Sequence, residues 1–299
     1  MDIRSLQYFL AVAREESITK AAKTLHMTQP PLSRAIKDLE DELGKQLFVR
    51  GSRKVTLTDE GMLLRGRAEE LIDLMEKTKK EIVSSDYDIN GDVYIGAGES
   101  EAISFLAEVA CELQKTYPNI HYHIYAGDGE QVAEKLDKGL IDFGLLVAEP
   151  TGFEKYDYIR LPTKDTWGVL MRDDSELAER DFITAEDLWD KSLIVSQQAS
   201  KTGEMFRWMK KGEDELNIVM KYDLIYNASQ FVKSGLGYLI GLDKLINTAG
   251  DSGLCFKPVY PGWESDLYFV WKKYQVFSRT AGIYLEHIQD KLLYRQNIE

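Results

Sequence analysis

Apolar residues near the start of the chain recur at helical spacing. Leu6, Phe9, Leu10 and Ala13 fall at i, i+3, i+4 and i+7, which predicts a helix with one buried stripe. Ile18, Ala21, Ala22 and Leu25 repeat that spacing after Ser17, a good N-cap, and their small side chains allow a close helix approach. Within the turn "HMT", Thr28 is placed to cap a third helix, in which Leu32, Ala35, Ile36, Leu39 and Leu43 point inward. Pro30 and Pro31 lie in its first turn, where a missing N–H breaks no intrahelical bond. Pro30, Ser33, Arg34 and Lys37 line its outer face.

The pattern then changes. "LFVRGSRKVTLT" reads as two short strands around Gly51 and Ser52, with Arg50, Arg53 and Lys54 at the turn. Three helices and a basic hairpin make a winged helix-turn-helix. A helix with short polar and basic side chains in its N-terminal half fits the DNA major groove, and its first amides and the wing cations can hold phosphates. The same spacing also describes a three-helix bundle with a solvated charged face. Thr58 caps a long helix whose first turn carries Asp59 and Glu60. Leu64, Ala68, Leu71, Met75, Thr78 and Ile82 alternate steps of four and three along it, the seam of a coiled coil, so two chains are expected to pair there. The alternative is an amphipathic helix packed on its own domain, with Gly61 and Gly66 weakening it. "SSDYDINGD" reads as a hinge.

From Val93 onward strands alternate with helices. "VYIGAG", a helix over 102–115, "HYHIYAG", a helix over 131–138 and "IDFGLLV" predict a parallel βαβαβ unit. A second series follows: "TWGVLM", "SLIVS", a helix near 204–211, "MKYDLIY", a helix over 229–234 and "GYLIG". "DLYFVW" and a helix over 278–293 close the chain. Two α/β lobes imply a cleft between them, where strand ends and helix N-termini collect polar ligand groups.

Charge sharpens this division. The 299 residues carry a net charge of −13, yet residues 1–57 hold 10 basic against 7 acidic side chains, and residues 86–299 hold 22 against 36. The acidity therefore belongs to the C-terminal part, and a basic surface is left free to act in the N-terminal part. No run approaches the roughly 18 to 20 apolar residues of a membrane helix, and "MDIRSLQYFLAVAREES" lacks a signal peptide's basic start and cleavage site, so a cytoplasmic location is expected. Cys111 and Cys255 form no CxxC and are expected to be buried and inert, with a redox pair as the alternative.

Ala21-Ala22, Leu25, Thr28-Gln29-Pro30-Pro31-Leu32-Ser33, Ile36, Leu39-Glu40, Leu43-Gly44, Leu47-Phe48, Arg50, Leu57-Thr58 and Gly61 together resemble the N-terminal domain of LysR-type transcriptional regulators. The match is specific over about the first 65 residues and looser beyond, where "IDFGLLV" and "VKSGLGYLIG" are similar to the family's periplasmic-binding-protein-like effector domain. The resemblance implies an α/β fold class with an all-α winged helix-turn-helix at residues 1–58 and a linker helix and hinge at 59–88. An effector-binding domain of two Rossmann-like subdomains would follow at 89–299, with lobe I at about 91–161 and 266–299 and lobe II at about 162–265. It implies a homodimer, usually a homotetramer, that binds promoter double-stranded DNA and responds to a small-molecule co-inducer. RNA polymerase would be a partner if the output is activation. No other cofactor, no metal, no membrane partner and no enzymatic activity are expected.

Carried over by position, the resemblance places DNA contacts on Thr28, Gln29, Pro30, Ser33, Arg34 and Lys37 in the recognition helix and on Arg50, Arg53 and Lys54 in the wing. Arg34 and Lys37 can reach guanine edges or phosphates, and Gln29 can reach adenine. Dimer contacts fall on Leu64, Ala68, Leu71, Met75 and Ile82. Effector contacts fall on Gly98, Glu99, Ser100, Glu101, Asp128, Gln197, Ser200, Lys201, Thr202, Asn227 and Ser229, with Ser100 in the place of a small hydroxyl residue that often holds a carboxylate. Glu99, Glu101 and Asp128 would oppose a carboxylate, which raises a cationic or neutral effector as one reading and solvated helix-start acids as the other.

Other chemistry is sparse. His121 and His123 share one strand face, so an HxH metal site is conceivable, though solvated histidines fit equally. Trp167, Trp208, Trp263 and Trp271 are assigned to the core. No GxxxxGK[ST], GxSxG or HExxH occurs. Two other classes stay open: an enzyme whose lobes act on the captured molecule, and an architectural DNA-binding dimer without a ligand.

Overall fold

Asp2 starts the first helix, α1 (Ile3–Glu15), by accepting a hydrogen bond from the Ser5 amide at 2.7 Å. The computed structural model describes residues 1–51, 54–83, 89–147 and 153–296, and the chain divides into two units, Met1–Ser84 and Ser85–Glu299. In the first unit, α1 buries Leu6, Phe9 and Val12 against α2 (Ile18–Thr24) and α3 (Gln29–Leu43). The Ser17 hydroxyl caps α2 through the Lys20 amide at 3.3 Å. Thr28 holds the N-cap place of α3, but its side chain makes no capping bond. At the other end Gly44, with a φ of 65°, turns the chain in the left-handed conformation that glycine adopts without a Cβ clash.

The strands β1 (Phe48–Arg50) and β2 (Val55–Leu57) pair antiparallel, and Phe48 packs on Phe9 with ring centroids 5.2 Å apart. Glu40 fastens this hairpin to α3 by accepting the Leu47 and Phe48 amides at 2.8 and 3.2 Å. Thr58 caps α4 (Asp59–Val83), accepting from the Gly61 amide at 3.0 Å and donating to the Gln46 carbonyl at 2.8 Å. A Cβ on Gly61 would come within 2.2 Å of the Leu47 carbonyl oxygen. The glycine that reads as a helix weakener is therefore what lets α4 approach the backbone before the wing.

The predicted seam on α4 is corrected in its first half. Ala68 is buried in the core of the first unit and half-buried Leu64 packs against it, because α1 lies against this part of α4, so Ala68 is not available to a second chain and Leu64 is so only in part. Leu71 and Ile82 are exposed and Met75 is half-buried, with Leu63 and Leu74 also exposed.

The second unit contains β3 (Gly91–Ala97), α5 (Ile103–Thr116), β4 (Ile120–Ala126), α6 (Gly129–Asp137), β5 (Phe143–Val147), β6 (Tyr156–Arg172), β7 (Ile183–Thr184), α7 (Ala185–Leu188), β8 (Leu193–Ser196), α8 (Gln197–Thr202), α9 (Glu204–Met209), β9 (Ile218–Tyr222), α10 (Ile225–Lys233), β10 (Tyr238–Leu242), β11 (Leu254–Tyr260), β12 (Glu264–Lys272) and α11 (Arg279–Gln296). Its sheet order is β4-β3-β5-β12-β6-β10-β8-β9, with β11 on β6 and β7. The β3–β4, β3–β5, β8–β9 and β8–β10 pairs are parallel, as the βαβ patterns predict. Phe143, Phe269 and Tyr284 fill one lobe's core under α5 and α11, and Val169, Met171, Leu193 and Val195 fill the other's.

Two features differ from the pattern reading, and both position the site. First, β6 is one strand of 17 residues that runs through both lobes: Tyr156–Arg160 and Lys164–Thr166 pair with β12 on either side of a register shift, and Trp167–Arg172 with β10 and β11. Its charged middle hides this continuity, since Arg160 and Lys164 carry cross-strand ion pairs to Asp266 at 2.6 Å and Glu264 at 3.0 Å. Second, β9 ends at Tyr222 and α10 begins at Ile225, four residues before the expected start. A short apolar run such as "DLIY" fits either period, and burial of Ile225 in the lobe core decides for the helix.

Candidate functional site

On α3, Thr28, Gln29, Pro30, Arg34 and Lys37 are exposed and Ser33 is half-buried. Among the described residues, Arg34 and Lys37 make no ion pair or side-chain hydrogen bond. Leu32, Ile36 and Leu39 hold the opposite face at 2% exposure or less, so the outer face is fixed by the core behind it. The result is a rigid row of polar and cationic groups on one helix face that have no side-chain partner among the described residues.

The wing differs. Lys54 lies 3.3 Å from Glu16, and the Val55 amide donates to the Glu16 carbonyl at 2.9 Å, so the hairpin leans on the turn between α1 and α2. An exposed pair of this kind contributes under about 1 kcal/mol and yields to a phosphate. Arg50 closes β1 opposite Val55; its side chain, and the whole of Arg53, lie outside the described residues.

A cavity of about 400 Å³ opens between the two lobes of the second unit. Its walls come from the ends of β3 and β4, from α8, from the turn between β9 and α10, and from Trp167 and Ser265 on the strands that cross between lobes. Of the expected effector residues, Gly98, Glu99, Asp128, Gln197, Lys201 and Thr202 line it. Ser100, Glu101, Ser200, Asn227 and Ser229 do not. Ser100 is 2% exposed, and its hydroxyl accepts the Ala102 amide at 3.1 Å. The Glu101 side chain is solvated. The Ser200 hydroxyl is turned back onto the Ser196 carbonyl at 2.9 Å, and the Ser229 hydroxyl onto the Tyr226 carbonyl at 2.7 Å. Because α10 starts at Ile225, residues 222–225 face the cavity in place of Asn227 and Ser229.

Three polar contacts among the described residues join the lobes at this cavity. Glu99, just after β3, accepts the Ile225 amide at the start of α10 through Oε2 at 2.6 Å. Lys201 on α8 sits 3.9 Å from Asp128 and 3.8 Å from Glu130, at the start of α6. Deeper in, the Trp167 indole N–H donates to the Ser265 hydroxyl at 2.9 Å, and Trp167 stacks on Trp263 with centroids 4.0 Å apart. Burial pushes the carboxyl of Asp165 above the usual range, with the Ser100 hydroxyl and Glu101 amide pulling the other way. Burial also raises the Tyr222 phenol, whose hydroxyl donates to the Ile240 carbonyl at 3.0 Å.

Residues 88–293 match the family described as the LysR substrate binding domain, and residues 3–62 match the bacterial regulatory helix-turn-helix protein, lysR family. The chain belongs to the LysR family. Its relatives include the HTH-type transcriptional regulator BsdA of Bacillus subtilis (strain 168), 37% identical over 164 residues, which are 53% of this chain and 56% of that protein. The uncharacterized HTH-type transcriptional regulator YvbU of the same organism is 33% identical over 80% of this chain and 81% of its own. A crystal structure of full-length CbnR complexed with its target DNA superposes with a TM-score of 0.76 over 97% of this chain and 99% of that one; at 17% identity it shows the fold.

In this LysR-family regulator, several residues outside the expected set shape the site. Trp167, assigned only to the core, is 7% exposed and yet forms a cavity wall. Ser265, Gln198, Glu204, Tyr222, Asp223 and Ile225 also line the cavity. No local signal marks them, since they reach it through strand pairing and lobe packing. Cys111 is exposed instead of buried, on the outer side of α5, and Cys255 is half-buried with its thiol pushed up by burial. His121 is exposed, and His123 lies 2.5 Å from Asp92 and stacks on Tyr94 at 4.5 Å. No helix among the described residues is long and apolar enough to cross a membrane.

Proposed function

We propose that this chain is a cytoplasmic, non-enzymatic regulator that reads promoter DNA with α3 and the wing and changes its output when a small molecule enters the cavity. The observation that supports this most is the row of Gln29, Ser33, Arg34 and Lys37, without side-chain partners among the described residues, on a helix whose other face is buried, in a chain of net charge −13. Such a face suits phosphates and base edges. The cavity of about 400 Å³ is of ligand size, and among its described lining residues there is no histidine or cysteine to serve as base or nucleophile. Leu71, Met75 and Ile82 on α4 would pair two chains, with a homotetramer as the assembly the family suggests and RNA polymerase as partner if the output is activation.

Footprinting the region upstream of the gene, with and without candidate metabolites, tests both halves. Protection of a defined site, lost steeply as salt rises, and an altered pattern with a bound metabolite are expected. A flat salt dependence would mean that the basic face does not touch phosphate. Turnover of any ligand by the chain would favour the enzyme reading.

A further inference from the structure

The cavity holds a carboxylate of its own at the position where a ligand carboxylate would be received. Helix α10 has nine residues, its N-cap is Leu224, and no side chain of its own lobe caps it. Its first amide, that of Ile225, is instead bonded by Glu99 from the opposite lobe at 2.6 Å. Glu99 and Ile225 are 126 positions apart in sequence, so this contact exists only because the lobes face each other. A carboxylate at a helix N-terminus is the arrangement by which proteins bind anionic ligands. Here the chain supplies the anion.

The other means of holding an anion is also taken. Lys201 is the one basic side chain among the described residues that line the cavity, and it lies within 4 Å of two carboxylates, 3.9 Å from Asp128 and 3.8 Å from Glu130. The remaining charged lining groups, Glu204 and Asp223, are acidic. Behind the wall, Asp165 is 4% exposed and pairs across the strands with Ser265, which lines the cavity. One of its two carboxylate oxygens has no hydrogen-bond partner among the described residues. Among the described residues, Asp223 and the free Asp165 oxygen are acceptors, and the side-chain amides of Gln131, Gln197 and Gln198 beside them offer acceptors as well as donors.

We propose that Glu99 sets the charge selectivity of the cavity: it holds the α10 amide against a ligand carboxylate and leaves the space to neutral or cationic molecules. This rests on reading the cavity as the effector site. An anion would have to displace Glu99 from Ile225, leave that carboxylate without a donor, and stand beside Asp223 with no free cation among the described lining residues to offset it. An amine meets acceptors already in place and the indole of Trp167 in the wall.

The test is calorimetric titration of the full chain with benzylamine and benzoate, two probes of the same ring and opposite charge. The wild-type chain is expected to bind benzylamine about tenfold or more tightly than benzoate, the scale of one charge-assisted bond. Glu99→Ala frees the amide and removes the charge, so benzoate affinity is expected to rise about tenfold while benzylamine affinity falls. Glu99→Gln keeps an acceptor and loses the charge, and its preference is expected to lie between the two. If Glu99→Ala melts early, the glutamine variant decides, through a benzylamine-to-benzoate ratio at least about threefold below wild type. A wild-type preference for benzoate, equal ratios in all chains, or no binding of either probe by any of them overturns the proposal. Failure of the effector reading shows differently: the probe ratios shift as expected, while the DNA footprint ignores every ligand of the cavity.

Discussion

Arg34 and Lys37 on α3 make no ion pair among the described residues, whereas Lys201 in the cavity stands 3.8 to 3.9 Å from two carboxylates. The same kind of charge is prepared for opposite uses. A helix that meets a polyanion needs cations held outward by a core and committed to nothing inside. A cavity that closes between lobes needs its charges matched across the gap, so that a ligand replaces existing contacts. The first unit carries its function on a surface made by local packing; the second carries it in contacts between distant segments.

The largest break in this comparison is expected from Gly61→Ala. A Cβ within 2.2 Å of the Leu47 carbonyl forces α4 away from the wing and costs about 3 kcal/mol. Hydrogen exchange of the full chain would then show faster exchange in α1, α3 and α4, with β3 and β8 of the second unit as unchanged references. Equal exchange throughout would mean that α4 yields without cost.

Arg34→Ala is expected to weaken promoter binding by about 1–3 kcal/mol, roughly ten- to a hundredfold, without lowering the melting temperature or altering ligand binding in the cavity. Fluorescence anisotropy on the footprinted site measures it. Unchanged affinity in the folded variant would remove Arg34 from the reading face.

A smaller effect separates the second unit by pH. Burial raises the Asp165 carboxyl in the folded chain, so the folded state favours the protonated form. Ionisation at neutral pH is thus a cost to stability, absent below the unfolded pKa of about 3.9, where both states are protonated, and growing as pH rises toward the folded value. Asp165→Asn is expected to raise the melting temperature of the second unit at pH 7 and to lose that advantage near pH 4. A gain that is the same at both pH values would point to packing instead of ionisation.

The two units were not equally legible. The i, i+3, i+4 spacing around Phe9, Ala21 and Ile36, with Ser17 and Thr58 as caps, predicts the first unit because each helix there is defined by neighbours within a few turns. The seam on α4 was overextended for the same reason: period alone does not say that α1 already covers Ala68 and part of Leu64. In the second unit the strand runs were readable, but the charged stretch from Arg160 to Asp165 concealed that β6 is continuous, and "DLIY" moved the start of α10. That shift carried the site assignment from Ile225 to Asn227 and Ser229.

By itself the sequence determined the helix-turn-helix, the alternation of strands and helices, the segregation of charge, and the family to which they belong, because these depend on local period and composition. Tertiary structure alone decided which groups meet in the cavity. Trp167 reaches Ser265 across 98 positions, and Glu99 reaches Ile225 across 126. Contacts at such separations follow from sheet order and from the way two lobes face each other, and no local periodicity encodes them.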